Sequence, residues 1–164
     1  MGDLILSRAI TNKNVEIVRL LLARGAHANA HTMANDSLLN FAIGYKSDDM
    51  KEIVALLIDN GASLKEVDYY GETALTRMVG YTPNKEIAGI LLDKGADINA
   101  ANGVGNTSLH HAAANGNREM VAFLIEREAD VNIQNQDGER PLTLAVKRKF
   151  TDVAAMLRAA DARE

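Results

Sequence analysis

Leu20-Leu21-Leu22-Ala23-Arg24-Gly25-Ala26 returns as Leu56-Leu57-Ile58-Asp59-Asn60-Gly61-Ala62, as Ile90-Leu91-Leu92-Asp93-Lys94-Gly95-Ala96 and as Phe123-Leu124-Ile125-Glu126-Arg127-Glu128-Ala129. The closing alanines are 36, 34 and 33 residues apart. That period belongs to a helical solenoid: it is too long for a heptad and too regular for chance. Ahead of the blocks stand Ile17-Val18, Ile53-Val54, Ile87-Ala88 and Met120-Val121, which set apolar residues three to five positions apart on one helical face. Each copy is therefore read as the outer helix of a repeating unit. Gly25, Gly61 and Gly95 stand where a helix commonly ends in a left-handed residue, a conformation that costs glycine nothing sterically. In the fourth copy Glu128 occupies that place.

Working outward, Ser37-Leu38-Leu39, Thr73-Ala74-Leu75, Thr107-Ser108-Leu109-His110 and Arg140-Pro141-Leu142-Thr143 each open a short, small-residue helix, expected over 40–43, 76–79, 111–114 and 144–146. Ser or Thr as N-cap satisfies orphan backbone N–H groups, and Pro141 suits a first helical position. Between units lie Asp68-Tyr69-Tyr70-Gly71, Asn102-Gly103-Val104-Gly105 and Asn135-Gln136-Asp137-Gly138, whose Gly and Asn residues allow tight hairpins. The connections between the two helices are expected to be longer in the second unit, at 46–48, and in the third, at Thr82-Pro83.

Composition agrees with this pattern. Aromatic residues are 4% and Trp is absent, so the core must come from Ala, Leu, Ile, Val and Met, which suits close helix packing. Cysteine is absent, which removes disulfides and thiolate metal sites; a reducing cytoplasm is compatible, and a cytoplasmic location is expected. The N-terminus lacks the basic and long apolar regions of a signal peptide, and no stretch approaches the roughly 20 apolar residues that span a bilayer. A net charge of -4 works against nonspecific attraction to nucleic acid or anionic lipid, so neither is an expected partner.

Gly105-Asn106-Thr107-Ser108-Leu109-His110-His111-Ala112-Ala113-Ala114-Asn115-Gly116, running on to Ala129-Asp130-Val131-Asn132, resembles the ankyrin repeat, whose pattern is G-x-T-P-L-H-x-A-A-x-x-G, then Leu-Leu, then G-A-D-V-N. The resemblance covers essentially the whole chain. It implies an all-α solenoid of helix-turn-helix repeats joined by β-hairpin-like fingers, a single domain over 1–164 with repeats at about 1–31, 32–67, 68–101, 102–134 and 135–164. The first repeat begins directly in helix and the last ends in a polar stretch, Arg158 to Glu164. Both ends are therefore expected to act as caps, the chain to be a nearly complete protein or domain, and the molecule to be a monomer.

The resemblance further implies a concave face, made of finger tips and inner helices, that takes a partner. By register, the candidate partner-binding residues are Met33, Asp36, Tyr45, Tyr69, Tyr70, Glu72, Tyr81, Val104, Asn106 and Asn115. All four tyrosines of the chain fall in this set, and Tyr gives large contact area at low entropic cost. Packing between adjacent fingers is the alternative role for each. Charge counted by repeat runs +2, -3, -2, -2 and +1, and Asp36, Asp48, Asp49, Asp68 and Glu72 lie around the tyrosines. These carboxylates either select a basic partner surface or serve solubility.

His110 stands at the family's own His position, which commonly hydrogen-bonds the turn; His110-His111 are adjacent, and His27 with His31 lacks a third ligand, so no metal is expected. No phosphate loop, Gly-x-Ser-x-Gly or Cys/His pair is present, so neither a cofactor nor catalysis is expected. The expected function is a non-catalytic protein-interaction module or adaptor. The alternatives are a small inhibitor or immunity-type protein masking a basic enzyme, or a targeting module of a secreted effector.

Overall fold

The computed structural model describes residues 2–45, 47 and 49–163, with backbone alone at Gly2, Asp3 and Asp49. Among the described residues there are ten helices and no strand. The inner helices are α1 (Gly2–Thr11), α3 (Leu38–Ile43), α5 (Ala74–Tyr81), α7 (Ser108–Ala114) and α9 (Pro141–Lys147), and the outer ones α2 (Val15–Ala23), α4 (Asp49–Asp59), α6 (Lys85–Asp93), α8 (Arg118–Glu126) and α10 (Thr151–Ala159). Each inner helix packs against the outer helix that follows it. Each helix also packs against its counterpart in the next pair, so inner helices form one layer and outer helices a second.

Local chemistry sets the helix ends. Ser37, Thr73 and Thr107 accept from the backbone N–H groups of Asn40, Thr76 and His110, so the inner helices begin two or three residues earlier than the small-residue pattern indicates. Pro141 is the first residue of α9, where its missing N–H is not needed. The outer helices α2, α6 and α8 are capped by Asn14, Asn84 and Asn117, whose Oδ1 atoms each accept from an N–H three residues on at 3.0 Å. The third unit does not have the longer connection expected at Thr82-Pro83. Its extra residue is taken up by α5, which has 8 residues against 7 in α7 and α9. Thr82 fixes that end by donating its hydroxyl to the Ile43 carbonyl at 3.0 Å. The longer connection expected at 46–48 includes positions outside the described residues.

The core is one continuous apolar cluster threaded between the two layers, from Leu6 and Ile10 through Ile53, Leu57, Met78 and Leu91 to Leu124 and Leu157. Ala42, Ala112, Ala113 and Ala145 are fully buried, and their small side chains let neighbouring inner helices approach closely. Behind α2, α6 and α8, an asparagine ties its unit to the next. Asn29 accepts from Ser63 N–H and donates to the Gly61 carbonyl; Asn99 accepts from Asp130 N–H, and Asn132 from Arg163 N–H. Lys65 holds that place in the second unit, so the tie between the second and third units is missing there.

Gly25, Gly61 and Gly95 are left-handed, with φ of 84°, 91° and 95°, and so is Glu128, at 64°. A Cβ in this region costs roughly 1 kcal/mol or more, so Glu128→Gly is expected to raise stability by about 1 kcal/mol. Chemical denaturation measures this, and an unchanged or lower midpoint would contradict the assignment.

Candidate functional site

Four short fingers project between the helix pairs, at 32–36, 68–72, 102–106 and 135–139. Each closes on itself: the N–H groups of Thr32, Asp68, Asn102 and Asn135 donate to the carbonyls of Asp36, Glu72, Asn106 and Glu139 at 2.8–3.0 Å. In the last three, the leading Asp or Asn also accepts, through Oδ1, from N–H groups two and four residues on. This Asx arrangement holds two tip residues outward and puts the next residue at positive φ, which Gly71, Gly105 and Gly138 supply and Asn35 adopts at 61°. The β-hairpin character of the first three fingers is limited to single bridges, His31 with Ser37, Val67 with Thr73 and Ala101 with Thr107, because the turn leaves no length for a ladder.

The tips and the end of α5 carry three exposed aromatic rings. Tyr69 is 96% exposed, Tyr70 70% and Tyr81, at the end of α5, 60%; Met33 and Val104 are exposed on neighbouring tips. The rings of Tyr69 and Tyr70 meet edge to face at 5.3 Å. Tyr45 differs: it is half-buried, packed on the core and edge to face with Phe41 at 5.3 Å. The alternative weighed for each tyrosine, structural packing, is the one realised at Tyr45.

Glu72 requires a correction. It is 1% exposed and cannot offer its carboxylate to a partner. Its Oε1 accepts from Asn102 Nδ2 at 2.7 Å and lies 3.1 Å from His111 Nε2, while the His111 ring lies 6.2 Å from that of Tyr81. Glu72 therefore joins the second finger to the third and supports Tyr81 from beneath. Asn106 is likewise partly buried and accepts from Asn135 Nδ2 at 2.9 Å. Asn115 is exposed, but its Nδ2 donates to the Gly80 carbonyl at 3.0 Å. Asp36 is half-buried: Arg77 reaches its Oδ2 at 3.3 Å and Asp68 Oδ2 at 2.7 Å, tying the first finger to the second. The carboxylates of Asp48 and Asp49 lie outside the described residues.

Sequence reasoning missed Arg77 and His111 as clamps. Their side chains act across unit boundaries, onto Asp36 and Glu72 of the preceding unit's finger, and only the register of each helix with that preceding finger could have signalled it. The clamps continue in the backbone: Gly103 N–H donates to the Tyr70 carbonyl at 3.2 Å and Gln136 N–H to the Val104 carbonyl at 3.1 Å. The fingers thus form a bonded row. Between the first two is a cleft of about 490 Å³ lined by Asp36, Asp68, Tyr69, Tyr70 and Arg77. Two carboxylates face one guanidinium there, so the cleft carries net negative charge. Burial, with the Asp68 charge adding to it and Arg77 only partly offsetting it, raises the Asp36 carboxyl above its ordinary range.

Two buried groups make stability pH-dependent. His110 is fully buried, with Nδ1 3.2 Å from Thr107 N–H and Nε2 3.1 Å from the Glu139 carbonyl, an arrangement that suits a neutral ring donating from Nε2. Burial lowers its pKa, the Glu139 carbonyl only partly offsetting this. For Glu72, burial alone would raise the carboxyl, but hydrogen bonding to His111, Thr76 and Asn102 outweighs it and brings it below its ordinary value. In both cases the unfolded chain binds more protons over the window below the unfolded pKa, so stability rises with pH there. The expected result is acid destabilisation in two steps. The first begins as pH falls through the ordinary histidine range near 6.5 and the second through the carboxylate range below 4.5. Urea midpoints against pH measure this, and His110→Gln should remove the upper step alone.

Among the described residues, no group of three His, Cys, Asp or Glu side chains is placed to hold a metal, and no helix is long and apolar enough to cross a membrane. A family model for ankyrin repeats, in three copies, matches residues 6–102 and 84–163. The chain is similar to transient receptor potential cation channel subfamily V member 5 of Rattus norvegicus, 39% identical over 89 residues, 46% of this chain and 12% of that protein. The protein of that name from Mus musculus is 39% identical over 87 residues, 45% of this chain and 12% of its own length. The aligned segments thus span about an eighth of the length of these relatives.

Proposed function

Because the chain belongs to the ankyrin repeat family, we propose that it is a non-catalytic module that binds a protein partner through the face formed by its fingers and inner helices. The observation that carries this reading is the exposure of Tyr69, Tyr70 and Tyr81, three large rings in water on a frame that hydrogen bonds already hold in place. A ring in water contributes nothing to folding, whereas desolvating it against a partner is favourable by area. Because the fingers are tied to one another, little further ordering is needed on binding. Met33 and Val104 extend the apolar surface on either side, and the cleft of Asp36 and Asp68 favours a partner whose contacting surface is basic. Asn115, exposed beside the inner helices, lies at the edge of this face.

Affinity capture from native lysate tests the reading, comparing the wild type with a Tyr69→Ala, Tyr70→Ala, Tyr81→Ala variant. Tyr45 is left in place because it is part of the packing. A protein retained by the wild type and lost from the variant supports the site; equal retention by both moves the site elsewhere.

A further inference from the structure

The two ends of the stack are finished differently. In the later units the outer-helix position that meets the preceding pair is held by Ile53, Ile87 and Met120, all buried; in the first unit it is Ile17, which is 44% exposed. Three residues on, Phe123 is buried in the fourth unit and Leu20 is 52% exposed in the first. On the inner helix, Leu4 and Ile5 are exposed where Thr107 and Ser108 are buried. Leu4, Ile5 and Ile17, with Arg8 and Met33, line a groove of about 820 Å³, and Leu20 is exposed outside it. The expectation that the first unit is a cap is therefore corrected: this end carries the apolar stacking residues of an internal unit. The polar finish expected at the other end is present, since Arg158 is exposed at the position of Ile125.

Ion pairs repeat the asymmetry. In one series a cation at the start of an outer helix meets an acid near the start of the next, as in Lys51 with Glu86 and Arg118 with Asp152 at 2.8 Å. In the other, an acid ending one outer helix meets a cation just past the end of the next, as in Asp59 with Lys94 and Asp93 with Arg127 at 2.8 Å. By register Glu16 holds the place of Glu86 and Asp152, and Arg24 that of Lys94 and Arg127. Neither makes an ion pair with a described residue. At the opposite end Thr151 stands where a cation is needed and Ala159 where an acid is needed, so a second copy stacked end to tail does not complement this face.

We propose that the face of α1 and α2 is the docking surface for a further ankyrin-type helix pair, stacked ahead of α1 as α1 and α2 lie ahead of α3 and α4. That pair presents a basic side chain to Glu16 and an acidic one to Arg24. The apolar surface continues the stacking interface already used between units, and the two charges continue both ion-pair series. The proposal is independent of what the tyrosines bind.

The test joins a copy of residues 102–140 to the chain ahead of Ile5, the position equivalent to Pro141, so that Arg118 faces Glu16 and Glu126 faces Arg24. The expected result is a single melting transition at a higher temperature, with amide exchange in α1 and α2 slowed about tenfold or more. Ile17→Lys with Leu20→Lys should leave melting of the unextended chain nearly unchanged and abolish both gains in the extended one. A copy of residues 96–140, which keeps the six connecting residues, joined after Asp161 should give no gain. Separate melting of the added pair with unchanged exchange in α1 and α2 would overturn the proposal, and so would an equal gain at both ends. Dimerisation of the unextended chain that Ile17→Lys removes would also overturn it, by giving the face to a second copy.

Discussion

Tyr69→Ala combined with Tyr81→Ala is expected to weaken partner binding by more than about 2 kcal/mol, a loss of roughly thirtyfold or more in affinity, with the helical signal unchanged. Both rings are mostly in water, and their removal takes nothing from the apolar core. Tyr69 meets its neighbour Tyr70 edge to face, while Tyr81 rests against His111, itself held by Glu72. Binding measured by calorimetry against the captured partner, with circular dichroism on the same samples, separates the two roles. Loss of helix would mean that the rings belong to the packing; unchanged affinity would mean that the partner sits elsewhere.

Gly71→Ala is expected to destabilise the domain by about 2–4 kcal/mol, a large share of the roughly 5–15 kcal/mol that holds a domain together. Gly71 has φ of 74°, and a Cβ there would come 2.5 Å from the backbone nitrogen of Gly103 on the next finger. Backbone cannot rotate aside as a side-chain tip can. The second and third fingers must therefore part, losing the bond from Gly103 N–H to the Tyr70 carbonyl. Asn35→Gly is an informative contrast, since Asn35 occupies the same left-handed place in the first finger and already tolerates a side chain there. A thermal midpoint for Gly71→Ala within about 1 °C of wild type would contradict the tight approach of these fingers.

Periodicity made the helices legible, because a spacing of 33 to 36 residues with apolar pairs at fixed offsets has one ready interpretation. The same register foresaw the left-handed Glu128 from the glycines at its equivalents. Burial within the finger face was not legible. Asp36, Glu72, Asn106 and Glu139 share one register position, yet Glu72 is buried because Asn102 and His111 of the next unit close over it. That depends on residues 30 and more positions away, which differ from unit to unit. Tyr45 was misplaced for a similar reason: Phe41, one helical turn earlier, offers it an apolar neighbour and draws it against the core. At the first unit the order of elements suggested a cap, while Ile17 and Leu20 carried the opposite information at the positions where the later units stack.

In the proposed binding mode the row of fingers, not the outer helices, is the surface a partner covers. Hydrogen exchange of the complex, followed by mass spectrometry, addresses it directly. Slowed exchange on binding is expected in the segments 68–72 and 102–106 and at the end of α5, with α4, α6 and α8 unchanged. Protection confined to the outer helices, with exchange at the tyrosine-bearing fingers unaltered, would contradict it.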